Sequence, residues 1–199
     1  DRGAALLCVV VASFEGSMFA FVFNWTPALA SAEIHPPHGV IFALFMMACM
    51  CGASVSTILG GAAKPSLRLL ISFAVGFGAF AVAASVATSD GEDKYLRTCL
   101  FAFLAFEFSV GMYFPSIGVL KSEIVPEAVR GTVYNIYRVP LNAIVVCLLL
   151  SKISMATCFK LCAMFLTCAF ISVAAISHTA PRPVHRFDDV DDDDTAKIV

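Results

Sequence analysis

Charge is what this sequence of 199 residues lacks: only 14% are Asp, Glu, Lys or Arg, while 59% are hydrophobic. A water-soluble domain carries roughly a quarter charged residues to cover its surface, so a soluble globular fold is excluded. The formal net charge is −2, and no basic patch offers a surface to nucleic acid. Also missing are a glycine-rich phosphate loop behind a strand, HExxH and GxSxG. Nothing here points to an enzyme, a metal centre or a cofactor. His35 and His38 flank Pro36-Pro37 without the further ligands that zinc requires.

Cysteine is plentiful, but CxxC is absent. Cys8, Cys49, Cys51, Cys99, Cys147, Cys158, Cys162 and Cys168 lie in or at the edge of apolar runs, as small lipid-compatible side chains do. Cys158 and Cys162 share a helix face and are the one pair with the spacing for a redox or metal role. An initiator Met and a basic leader are also wanting: Asp1-Arg2-Gly3 turns apolar almost at once, and no soluble body follows a single short apolar run. The chain reads as a piece of a longer protein.

What is present is a succession of apolar segments over about 4–30, 39–61, 69–88, 95–120, 132–150 and 155–176. Crossing the hydrocarbon core takes about 20 apolar residues as a helix. The pattern therefore predicts an all-α polytopic membrane protein, with a six-helix bundle over 1–177 and an acidic, disordered cytoplasmic tail over 178–199. Six aspartates between Asp188 and Asp194 keep that tail solvated. Pro27 is expected to kink or unwind the outer end of the first span, and Gly52, Ser54, Ser56, Gly76 and Gly78 are expected to allow close helix packing. Lys64 to Arg68 reads as a short basic loop and Ser89 to Lys94 as an acidic one. Lys121 to Gly131 reads as a polar cytoplasmic hinge in which Pro126 and Glu127 resemble a helix start, followed by Arg130 and Gly131. Eight basic residues fall on the side of the termini and four on the other, which predicts both termini inside.

The polar residues within these spans concentrate between Glu107 and Asn142. A charge within a lipid-length segment costs roughly 2.5–3.5 kcal/mol on insertion scales and persists where it faces a cavity or a partner. Asn135, Arg138 and Asn142 follow at intervals of three and four residues and share one helix face, extended by Gly131, with Pro140 beside it. An arginine between two amides presents a fork of donors to an oxyanion; the competing reading pairs Arg138 with Glu15 or Glu107 and locks the bundle. Each of those carboxylates is a proton-coupling site or a fixed counter-ion, and the sequence leaves both roles open. Gly16, beside Glu15, permits close helix approach. Tyr113, Asn24 and Trp25 complete the candidate substrate-binding set.

Three stretches carry a resemblance: FEGSMFAFVFNWTPAL (Phe14 to Leu29), GMYFPSIGVLKSEIVPE (Gly111 to Glu127) and NIYRVPLN (Asn135 to Asn142). They resemble the molybdate-anion transporter family of the major facilitator superfamily, and Pro126 to Gly131 resembles a cytoplasmic loop of the wider superfamily. The resemblance implies a twelve-helix transporter of two six-helix halves around a central cavity, working by alternating access. This chain aligns with the second half. Its implied partners are molybdate or a similar oxyanion, the lipid bilayer and an N-terminal half, with the plasma membrane as the expected location and an endomembrane as the alternative. A facilitator for sugars or other organic solutes is the alternative in which Trp25, Tyr113, Asn135 and Asn142 outweigh Arg138. A non-transporting scaffold or sensor acting through the acidic tail is the alternative from another class.

Overall fold

The computed structural model describes residues 2–30, 36–87, 92–151 and 153–179. Six helices account for nearly all of them: α1 (Arg2–Leu29), α2 (His38–Leu59), α3 (Pro65–Val86), α4 (Glu92–Ile124), α5 (Arg130–Leu150) and α6 (Met155–Thr179). Each is long and apolar enough to cross a membrane, and their backbone polar groups are satisfied within the helix, as a lipid environment demands. The chain is an integral, multi-pass, all-α membrane protein. The acidic tail beyond Thr179 and the loop residue His35 lie outside the described residues.

Burial separates the helices into central and flanking ones. Of the membrane spans, α1 and α4 are 56% and 61% buried, whereas α2 and α5 are 22% and 11% buried. Helix α4 packs against α2 and α3, α3 against α6, and α1 against α6 and α5. Phenylalanine fills the centre: Phe14, Phe21, Phe73, Phe80, Phe103, Phe106 and Phe159 are all fully buried. Phe14 stacks on Tyr113 with ring centroids 4.0 Å apart, and Phe80 lies 4.3 Å from Phe106. Such pairs contribute about 0.5–1.5 kcal/mol each beyond their buried area. In a bundle surrounded by lipid, that shape-specific packing matters more than apolar burial alone.

The small residues divide more sharply than their sequence context implies. Gly52 and Gly111 meet across α2 and α4, Ser56 is buried against Ser116 at 2.9 Å, and Gly76 faces Ser109 and Leu166. Gly78, by contrast, opens onto empty space, and Ser54 is exposed and bonds back to the Met50 carbonyl. These two are not packing positions, because they fall on the outward sides of α3 and α2. Pro27 does not unwind α1, which continues to Leu29 and on to the Ala30 amide bonded to the Thr26 carbonyl at 3.1 Å. So near a helix end, the single bond that proline removes is a small loss.

The link between α4 and α5 is shorter than the polar hinge read from the sequence. Lys121 belongs to the last turn of α4, and its carbonyl accepts from the Val125 amide at 3.0 Å. Pro126, extended at ψ 143°, opens a 3-10 turn over Glu127–Val129, and α5 starts at Arg130. Arg68 is likewise no loop residue. It closes the first turn of α3, 6% exposed, and its Nη1 donates to the Ser56 carbonyl at 3.0 Å near the end of α2. A cation there satisfies a carbonyl of the final helical turn and complements the negative end of the α2 dipole.

Candidate functional site

The polar side chains converge where α1, α4 and α5 face one another. Glu15 projects from the middle of α1, and its Oε1 accepts a hydrogen bond from the Tyr113 hydroxyl of α4 at 3.0 Å. The same oxygen lies 3.5 Å from the Lys121 ammonium. Lys121 in turn stands over the Tyr134 ring of α5, 5.4 Å from its centroid. Four residues from three helices thus form one connected group, backed by Phe14 stacked on Tyr113.

Helix α5 is held to α1 at two heights. The Tyr137 hydroxyl donates to the Ala4 carbonyl at 3.0 Å, and Ile144 lies against Gly16, where a β-carbon would approach it to 3.1 Å. Residue numbers rise together along both contacts, so the two helices run in the same direction. Tyr137 and Leu141 are the buried residues of α5. A helical spacing of 100° per residue then turns Asn135, Arg138 and Asn142 away from α1, and all three are exposed. No hydrogen bond or ion pair holds Arg138 among the described residues: of the two carboxylates expected as its partner, Glu15 is paired with Lys121 and Glu107 is buried at 7% exposure.

The remaining members of the sequence-based set are dispersed. The Asn24 amide donates to the Ala20 carbonyl at 2.7 Å and reaches the Cys158 sulfur of α6 at 3.7 Å, away from α5. Trp25 meets the edges of His38 and Phe45 of α2, with centroids 5.6 and 5.3 Å away. Glu107 is buried at 7% exposure between α4 and α2, near Cys49, and makes no hydrogen bond or ion pair among the described residues. Pro126, Glu127 and Gly131 are exposed at the α4–α5 turn, and Arg130 is half-buried with its Nε unpartnered among the described residues. The set therefore resolves into an α5 face, a Glu15–Tyr113 pair that Lys121 and Tyr134 join, a lone Glu107, two residues committed to packing and four at the α4–α5 turn.

Lys121 and Tyr134, half-buried beside Glu15, and the buried Arg68 are absent from the set drawn from the sequence. The sequence did hold a signal for the first two. Lys121 follows Tyr113 by two turns of α4, and Tyr134 precedes Arg138 by one turn of α5.

Six helices long and apolar enough to cross a membrane, with α2 and α5 the least covered of them, define a polytopic membrane protein. A family model described as sugar transporters with twelve transmembrane segments (MFS_5) matches residues 1–102, and the chain belongs to this family of the major facilitator superfamily, one of transporters and not of enzymes. It is 34% identical over 146 residues to the molybdate-anion transporter of Danio rerio, covering 71% of this chain and 29% of that protein. The molybdate-anion transporter of Xenopus tropicalis is 34% identical over the same length, with 71% and 31% covered, and that of Takifugu rubripes 33% identical, with 71% and 29% covered. The chain spans less than a third of the length of the curated relatives it matches. No solved structure matches it.

Proposed function

We propose that this chain is the C-terminal half of a secondary-active transporter that imports molybdate, or a like tetrahedral oxyanion, across the plasma membrane by alternating access. One observation carries the reading: Arg138 stands exposed on α5, flanked by Asn135 and Asn142 and without a carboxylate partner among the described residues. An always-charged guanidinium with planar, forked donors suits the oxygen atoms of an oxyanion, and two amides add further donors at the same face. The largely uncovered α2 and α5 are where an N-terminal half would close the cavity. The name shared by the three relatives supports the substrate.

A facilitator of sugars is the second reading, favoured by the description of the matching family. Its binding would rest on the neutral hydrogen-bonding and ring-stacking side chains, yet Trp25 and Asn24 are turned toward α2 and α6. Uptake of labelled molybdate by cells expressing the full-length protein separates the two. We expect inhibition by tungstate and sulfate and none by sugars. Uptake of labelled sugar that oxyanions leave untouched would reverse the assignment.

A further inference from the structure

We propose that Lys121 is a second substrate cation, held in wait by Glu15, and that an arriving oxyanion draws its ammonium from Glu15 toward Arg138; this rests on the oxyanion reading above. Lys121 is placed for it. Because α4 runs on to Ile124, the residue lies inside the bundle with its side chain 17% exposed, and its Glu15 partner is 20% exposed. Both are sheltered, and both are still open to a small solute.

The contacts of the ammonium are loose. A charge-assisted N–H···O bond runs about 2.7–2.9 Å, whereas Nζ is 3.5 Å from Glu15 Oε1, and Lys121 donates no hydrogen bond among the described residues. An ammonium has three donors to give. The Tyr134 ring, 5.4 Å away, offers the charge a surface without consuming any of them. Tyr113, meanwhile, fixes the far partner, since its hydroxyl donates to the same Glu15 oxygen at 3.0 Å and its ring is locked against Phe14. The anchored member of the pair is the carboxylate, and the free one is the cation.

Position and charge supply the rest. Tyr134 and Arg138 are four residues apart on α5 and therefore lie one above the other on that helix. Tyr134 and Arg138 are thus about one helical turn, some 5–6 Å, apart, and the ammonium over Tyr134 is carried on a flexible four-carbon stem that can swing along that stripe. A doubly charged oxyanion meets only one positive charge at Arg138, and Lys121 provides the other. With the site empty, Glu15 prevents two cations from facing each other uncompensated across α4 and α5.

The test uses the purified full-length protein, with molybdate as the probe and its dissociation constant as the readout, alongside the ligand-free melting temperature of each variant. Lys121→Gln is expected to weaken binding at least tenfold, and Lys121→Arg to recover most of the loss. Glu15→Gln, by removing the competing carboxylate, is expected to tighten binding several-fold even as it lowers the melting temperature. Wild-type affinity in Lys121→Gln overturns the proposal, and so does a loss in Glu15→Gln as large as that in Lys121→Gln, the pattern of a salt bridge that only holds the bundle. Absence of molybdate binding by the wild type would instead remove the oxyanion reading itself.

Discussion

Gly52 of α2 and Gly111 of α4 interlock backbone to backbone: a β-carbon on Gly52 would overlap the Phe108 carbonyl, and one on Gly111 the Cys49 carbonyl. The clash is with main chain, which has no rotamer by which to yield. Gly111→Ala or Gly52→Ala is therefore expected to force α2 and α4 apart, at a cost of about 1–3 kcal/mol typical of overpacking. Gly118, with open space around it, is the control, and alanine there is expected to be neutral or to stabilise by up to ~1 kcal/mol. Thermal unfolding in detergent, followed by monodispersity, compares the three variants. Equal melting temperatures for Gly111→Ala and Gly118→Ala would show that the crossing tolerates separation.

Arg68 gives the second prediction. Its Nη1 donates to the Ser56 carbonyl at 3.0 Å and reaches the Ser56 hydroxyl at 3.4 Å, which is itself 2.9 Å from Ser116 of α4. One guanidinium thereby ties the start of α3 to α2, and through Ser56 to α4. Arg68→Met keeps most of the volume and removes the donors, leaving the Ser56 carbonyl short of a partner near a helix end, so a loss of about 1–3 kcal/mol is expected. Ser116→Ala should cost less, since Ser56 retains Arg68. A melting temperature of Arg68→Met equal to that of the wild type would reduce the contact to decoration.

What the sequence told and withheld follows from the kind of signal each feature leaves. Apolar run lengths located the six spans to within a few residues at most ends, because lipid thickness sets a length that composition must match. The shared face of Asn135, Arg138 and Asn142 was readable, since helical periodicity is a local property. Partnership was not. Glu15 finds Lys121 across 106 residues of chain, and only the packing of α1 against α4 decides that Lys121 and not Arg138 is within reach. Lys121 and Arg68 looked like loop residues because charge near a span end resembles a boundary, whereas here α4 extends past Lys121 and α3 begins before Arg68. Periodicity also cannot tell an inward small residue from an outward one, which is why Gly76 packs and Gly78 does not.

Arg138 supplies a prediction that separates function from stability. Being exposed and without an ion pair among the described residues, it contributes little to the fold of this chain. Arg138→Ala in the full-length protein is expected to leave the melting temperature within about 1 °C, as for a surface change worth less than ~0.5 kcal/mol. Loss of hydrogen bonds to a charged ligand is worth about 1.5–3 kcal/mol, so molybdate uptake should fall roughly 10- to 150-fold in kcat/KM. Arg138→Lys retains charge without the planar fork and should fall in between. Normal uptake at normal expression would take Arg138 out of the site.

The two membrane carboxylates are no longer equivalent, and this yields the last prediction. Glu15 has a cation and a phenol as partners, the surroundings of a counter-ion. Glu107 has neither among the described residues, sits 7% exposed against α2 near Cys49, and lies one turn before the Gly111 crossing. Because α2 and α4 touch backbone to backbone there, a change in the charge of Glu107 acts directly on that helix pair. We propose that, if uptake is coupled to protons, Glu107 is the residue that carries them. Import by the wild type should then rise as the external pH falls, Glu107→Gln should flatten that dependence at reduced rate, and Glu15→Gln should keep its slope. Uptake measured against external pH at constant membrane potential distinguishes these profiles. A sloping profile in Glu107→Gln, alongside a flat one in Glu15→Gln, would exchange the two roles and place the proton beside Lys121.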